Sequence, residues 1–91
     1  MRTLNQALLE GTIAGKPEYI SQADLKSCIA EIEVEKLTGE TFKMKIAGYG
    51  LVADIMNRKL QDKSKVRIIG RLDFKEGLGI CLILEHIEFR K

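Results

Sequence analysis

The stretch Thr41–Asp73, TFKMKIAGYGLVADIMNRKLQDKSKVRIIGRLD, decides the fold. Phe42, Met44 and Ile46 alternate with Lys43, Lys45 and Ala47, the period of two of a half-buried strand. Gly48 and Gly50 bracket Tyr49 and break that strand. Leu51, Val52, Ile55, Met56 and Leu60 then fall on one face of a short amphipathic helix. The polar run Gln61 to Lys65 ends the helix, and Val66, Ile68, Gly70 and Leu72 alternate with Arg67, Ile69 and Arg71 as another strand. A helix lodged between two strands of an otherwise all-β pattern narrows the available folds sharply.

Toward the N-terminus, Asn5 to Gly15 reads as the first strand, with Ala7, Leu9, Gly11 and Ile13 on one face. Gly11 inside it predicts a bulge or bend of the kind that turns the corner of a small barrel. Lys16-Pro17-Glu18 stops the strand, because proline cannot donate to a central ladder, and Tyr19 to Lys26 reads as a turn. Ser27 to Lys36 is the second strand, with Cys28, Ala30, Ile32 and Val34 inward and Ile29, Glu31, Glu33 and Glu35 outward. Leu37 to Glu40 is a hairpin connection with Gly39 as its left-handed residue.

Toward the C-terminus, Asp73 to Gly79 reads as a hairpin loop and Ile80 to Arg90 as the fifth strand. Alternation assigns Phe42 and Phe89 to the core. The order is β-β-β-α-β-β. This is an all-β pattern with one helix, that of a five-stranded Greek-key OB-fold (oligonucleotide/oligosaccharide-binding) barrel, predicted as a single domain over residues 1–91.

A chain of 91 residues supports one modest core, and its 45% hydrophobic and 31% charged residues are those of an ordinary globular protein. No apolar run approaches the roughly 20 residues of a membrane span, and MRTLNQALLEG lacks a small-residue cleavage pattern. The expected compartment is the cytoplasm. Cys28 and Cys81 are far apart and sit within apolar alternations, so they read as buried free thiols and not as a disulfide or metal pair. The row Glu31, Glu33 and Glu35 reads as a solvated strand face. The single histidine, His86, has no nucleophile or Gly-rich helix start around it, so no catalytic residue, cofactor or metal is expected.

Charge is unevenly spread. Between Thr41 and Lys75 there are nine Lys and Arg against three Asp, whereas the whole chain has 15 cations against 13 acids. A basic strand-helix-strand in an all-β chain suits a polyanion.

Three segments in order, NQALLEGTIAGKPE, YGLVADIMNRKLQDKSKVRIIGRL and LILEHIEF, resemble the bacterial single-stranded DNA-binding protein family. The first matches that family's opening of Asn, an aliphatic run, Gly, an aliphatic residue and Pro-Glu. The second follows its Phe-Gly-Lys-Leu-Ala-Glu to Gly-x-Leu segment without a gap. The third matches a closing run that ends in an aromatic. The resemblance implies an OB barrel that binds single-stranded DNA, or RNA by the same chemistry, as a homodimer or homotetramer.

The resemblance also implies a site, and shows departures from it. Tyr49 falls where the family has a base-stacking Phe. The family's Trp in the third strand is Lys43 here, and its later Trp is replaced by the loop residues Phe74, Lys75 and Glu76. No acidic tail follows Lys91, so the expectation is a bare barrel similar to the dimeric primosomal replication protein N. The predicted nucleic-acid-binding residues are therefore Tyr49, Lys43, Lys45, Arg67, Arg71 and Phe74. Leu8 and Glu10 are predicted to lie in a subunit contact. The competing expectation is an OB-fold interaction or oligomerisation module that has lost DNA binding, suggested by Leu8 and Ile29 on otherwise polar faces.

Overall fold

The computed structural model describes residues 4–90. Its elements are β1 (Ala7–Ile13), β2 (Glu18–Gln22), β3 (Leu25–Glu35), β4 (Thr41–Tyr49), α1 (Leu51–Lys59), β5 (Lys65–Lys75) and β6 (Gly79–Arg90). The sheet order is β1-β5-β6-β4-β3-β2, and an additional β1–β3 pairing closes it. With the short β2 set aside, the circuit β1-β3-β4-β6-β5-β1 is the expected five-stranded barrel. Its one parallel contact joins β4 to β6, and every other ladder is antiparallel.

The barrel interior follows the alternation. Ile13, Cys28, Ile32, Ile46, Val66, Ile68 and Leu82 are almost completely buried. Helix α1 contributes Ala53, Met56 and the following Leu60 to the same core, with Val52 packed beside them. The helix face differs from the predicted one: Leu51 is 81% exposed and Ile55 half-buried. Its burial face is set by Gly48, where a Cβ would collide with the Met56 sulfur and the Val52 side chain. This close approach seats the helix directly on the end of β4.

Several local expectations are corrected. Tyr19 to Lys26 is no simple turn: Glu18–Gln22 is a strand paired with β3 from Gln22↔Leu25 to Glu18↔Ile29. Tyr19 and Ile20 are half-buried by that pairing, which the polar flanks conceal in the sequence. The loop before β6 is also shorter than predicted, because Asp73, Phe74 and Lys75 pair with Cys81, Ile80 and Gly79. Of the bulge or bend expected at Gly11 there is no bulge, since its register with Val66 is continuous. Gly11 is instead where β1 leaves β5 for β3, and a Cβ there would strike the Glu33 carbonyl. The bulge lies between Ile69 and Gly70, where the β5–β6 register shifts.

Phe42 and Phe89 are not core residues, at 38% and 40% exposure. Both have the inward parity but sit at strand ends, beyond the reach of the barrel's packed layers. Conversely, Ala47, on the polar face of its strand, is fully buried. With Cys81 and Ile83 it forms a second apolar cluster, against which Ile29 and Leu78 pack.

Candidate nucleic-acid interface

That second cluster is the floor of the site. Ile29↔Ala47 and Ala47↔Ile83 are direct partners, so β3, β4 and β6 join in a continuous apolar strip on the outer side of the sheet, with Ala47, Cys81 and Ile83 themselves buried. The β5–β6 hairpin carries Leu78 onto it. Tyr49 stands at the edge of the strip, paired with Ser27 and 38% exposed. The Lys75 ammonium, from the same hairpin, lies 5.7 Å from the centroid of the Tyr49 ring, a cation–π contact.

Lys43 and Lys45 share the outer face of β4 with Ala47 and Tyr49, opposite Glu33 and Glu31 on β3. Arg71 joins the same face from the other side, because Arg71 pairs with Ile83 and Ile83 with Ala47. Two strand spacings put the Arg71 backbone about 10 Å from β4. Tyr49, Lys43, Lys45, Arg71 and Lys75 therefore occupy one outer face.

Two predicted residues lie elsewhere. Arg67 is four residues back along β5, about 13 Å from Arg71. It bonds Glu10 of β1 at 3.0 Å, and its Nε is buried without a hydrogen-bond partner among the described residues. Phe74 has the opposite parity from Arg71 and Lys75. It pairs with Ile80 on the other face of the hairpin and is 71% exposed beside Leu72.

The charge is more compensated than the sequence count predicts. Lys45 pairs with Glu31 at 3.6 Å, Arg71 with Glu85 at 3.8 Å and Lys75 with Asp73 at 3.6 Å. Each carboxylate comes from the strand face itself, two of them from segments outside the basic stretch. Among the described residues, Lys43 makes no ion pair on this face. All these pairs are at least partly exposed and so contribute little to stability, but they lower the local positive potential.

The far edge of the site is braced. Tyr19 of β2 donates its hydroxyl to Asp54 Oδ1 of α1 at 2.9 Å, and Lys26 Nζ bonds Asp54 Oδ2 at 3.3 Å. The Tyr19 and Lys26 hydrogen bonds hold the Asp54 carboxyl below the usual carboxylate range. The Asp54 bond, with burial second, raises Tyr19. Gly50 N–H donates to the Lys26 carbonyl, tying the Tyr49 turn to β3. Burial also raises both thiols, Cys28 inside the barrel and Cys81 in its outer floor. Among the described residues no group of His, Cys, Asp and Glu is arranged to hold a metal ion, and no helix is long and apolar enough to cross a membrane.

Sequence reasoning missed Lys75 as a site residue and missed the apolar floor. The first depends on the hairpin folding back over β4. The second depends on the parallel β4–β6 contact, which leaves no local pattern.

Leu8 and Glu10 sit on the outer face of β1, paired with Ile69 and Arg67 of β5. Leu8 is 59% exposed.

No protein-family model and no curated protein matches the chain. Solved structures are similar in fold. The SSB domain of a Synechococcus sp. protein superposes with a TM-score of 0.85 at 18% identity, over 97% of this chain and 98% of that one. The N-terminal domain of PriB from Thermoanaerobacter tencongensis, described as dimeric, gives 0.80 at 20% identity over 96% and 97%. A small single-stranded DNA-binding protein from Streptomyces coelicolor gives 0.83 at 16% identity over 98% and 96%. The chain thus folds as the helix-capped OB barrel of single-stranded DNA-binding domains.

Proposed function

We propose that this chain is a binding module, not an enzyme, that holds single-stranded DNA without sequence preference. The observation that carries the reading is one outer face combining a ring, Tyr49, with the cations Lys43, Lys45, Arg71 and Lys75 over an apolar floor. Sequence-independent binding of a single strand needs these two ingredients, a flat side chain for bases and a cationic track for phosphates. The SSB and PriB likenesses support the reading. Arginine adds to it, because its planar guanidinium also stacks on bases. RNA offers the same phosphates and bases, and the strand exposed during replication or recombination in the cytoplasm is the proposed setting.

With one ring on this face, binding is weak for a single barrel. Each absent stacking platform costs about 1–3 kcal/mol. We therefore propose a homodimer or homotetramer, in which several such faces act on one strand and avidity restores affinity. The outer face of β1 and β5, with Leu8, Ile69 and the Glu10–Arg67 ion pair, is the proposed subunit contact, and Leu8→Glu is expected to shift the mass seen by light scattering toward the monomer.

Fluorescence anisotropy with a labelled dT oligonucleotide, titrated across a salt series, tests the function. Binding that weakens steeply with salt is expected; no binding at low salt sinks the reading.

A further inference from the structure

The strand cations around Tyr49 nearly all face a carboxylate. Five cations at the opposite end of the barrel are left without one at ion-pair distance. Lys16, Lys59, Lys63, Lys65 and Arg90 are exposed, and none of them makes an ion pair among the described residues.

The fold gathers these five. Ile13 N–H donates to the Ser64 carbonyl and Lys63 N–H to the Ile13 carbonyl, while Gly15 N–H donates to Asp62 Oδ1 at 2.7 Å. These bonds bring Lys16 beside the α1–β5 connection and occupy one of the two oxygens of the Asp62 carboxylate, the one acid in that connection. Lys65 and Arg90 are direct cross-strand partners. Like charges placed opposite each other destabilise a sheet. Lys59, in the last turn of α1, lies 5.8 Å from the centroid of the exposed Phe89 ring. Glu10, Glu33 and Glu35 line one cleft together with Lys65 and Arg90, but none is within ion-pair distance of either cation.

The connection also carries one of the two non-glycine residues with positive φ among the described residues, the other being Ala23. Lys63 has φ +73°, in the left-handed region where a residue with a Cβ is strained. Local strain of this kind survives where function favours the side chain. The strained residue here is one of the five unpaired cations.

We infer that this barrel end is a second contact for a bound single strand, in which Lys16, Lys59, Lys63, Lys65 and Arg90 take phosphates and Phe89 offers a flat face. The inference rests on the reading of the Tyr49 face as a single-strand site. Helix α1 starts beside Tyr49 and ends at Lys59, about 12 Å further on, so a strand leaving the Tyr49 face along the helix reaches the patch within a few nucleotides. Ring plus cations favours nucleic acid over an acidic peptide, which would leave Phe89 unused.

The test compares labelled dT of about 5 and about 15 nucleotides, lengths near the two ends of the range one OB barrel covers. The triple variant Lys59→Gln, Lys63→Gln, Lys65→Gln is expected to lower the salt slope for the long oligonucleotide by about 2, at about 0.7 for each phosphate no longer neutralised. The short oligonucleotide is expected to bind it as it binds wild type. An unchanged slope for the long one, or an equal fall for both lengths, overturns the inference. Lys63→Gly guards against a folding artefact. It is expected to melt higher, because the strain is relieved, and yet to bind the long oligonucleotide about 2- to 5-fold more weakly. A higher melting temperature with undiminished affinity overturns the inference. Wild type that binds neither length sinks the Tyr49 reading itself. Wild type that binds both lengths equally overturns only the second contact. A poly-glutamate peptide that needs these lysines and resists displacement by long dT overturns it in favour of an acidic protein partner.

Discussion

The Lys75 ammonium sits over the Tyr49 ring, 5.7 Å from its centroid, where a stacked base would lie. In the proposed binding mode a base displaces it, at about 0.5–1 kcal/mol for an exposed cation–π contact, and the displaced ammonium is then free to meet a phosphate. Lys75→Ala is therefore expected to bind dT more weakly than wild type at low salt and more tightly at high salt. Affinity curves that never cross would show that Lys75 does not compete for the ring. Tyr49→Ala is expected to lose about 1–3 kcal/mol throughout, roughly 5- to 150-fold.

Glu31 and Glu85 hold Lys45 and Arg71 in ion pairs on the same face. Removing the acids unmasks the cations. Glu31→Gln with Glu85→Gln is expected to tighten oligonucleotide binding at low salt by about 3- to 10-fold and to leave thermal stability nearly unchanged, since exposed pairs contribute about 0–1 kcal/mol. A titration at low ionic strength decides it, and unchanged affinity would place the strand away from Lys45 and Arg71.

The Asp54 carboxyl is held low by the Tyr19 hydroxyl and the Lys26 ammonium. A carboxylate with a lowered folded-state pKa contributes stability that is present above its ordinary value of 3.8 and is lost as pH falls through the folded value. The brace between α1 and the β2–β3 hairpin is thus expected to loosen in acid below about pH 4. Urea denaturation from about pH 6 down to about pH 2 should show a steeper acid loss in wild type than in Asp54→Asn. Tyr19 behaves oppositely. Its raised pKa keeps its contribution intact below its ordinary value of 10.0, and that contribution falls away as pH rises beyond.

Gly70→Ala is expected to be the most damaging single methyl on β5. At the bulge, a Cβ would strike the Ile83 carbonyl, which is backbone and cannot move aside without breaking the β5–β6 ladder. A loss of about 3 kcal/mol or more is anticipated, readable as a shift in the denaturation midpoint, and a loss under about 1 kcal/mol would contradict this packing.

The barrel was legible because its signals are local. Alternation in Cys28 to Val34 and in Val66 to Ile68, and the helix after Gly50, read directly from residue spacing. What the sequence hid depends on contacts between distant segments. Phe42 has the parity of a core residue but lies past the end of the packed layers, and Ala47 has the parity of a surface residue but is buried by Ile83 and Cys81. Lys45 and Arg71 were legible as cations on a strand, whereas their carboxylate partners come from β3 and β6. Phe74 was separated from Tyr49 by one residue of register, which the hairpin loop concealed.

The ladders are very unequal. Nine residue pairs knit β3 to β4 and eleven knit β5 to β6, yet only three join β4 to β6 and two join β1 to β3. Mechanically the molecule is a clasp with two stiff leaves, β2–β3–β4 and β1–β5–β6, joined along two thin seams. Tyr49, Lys43 and Lys45 ride on one leaf, and Arg71, Lys75 and Leu78 on the other. A strand lying across both leaves would act as a staple, so amide exchange at Lys45–Ala47 and Cys81–Ile83 should slow on binding more than exchange within either leaf.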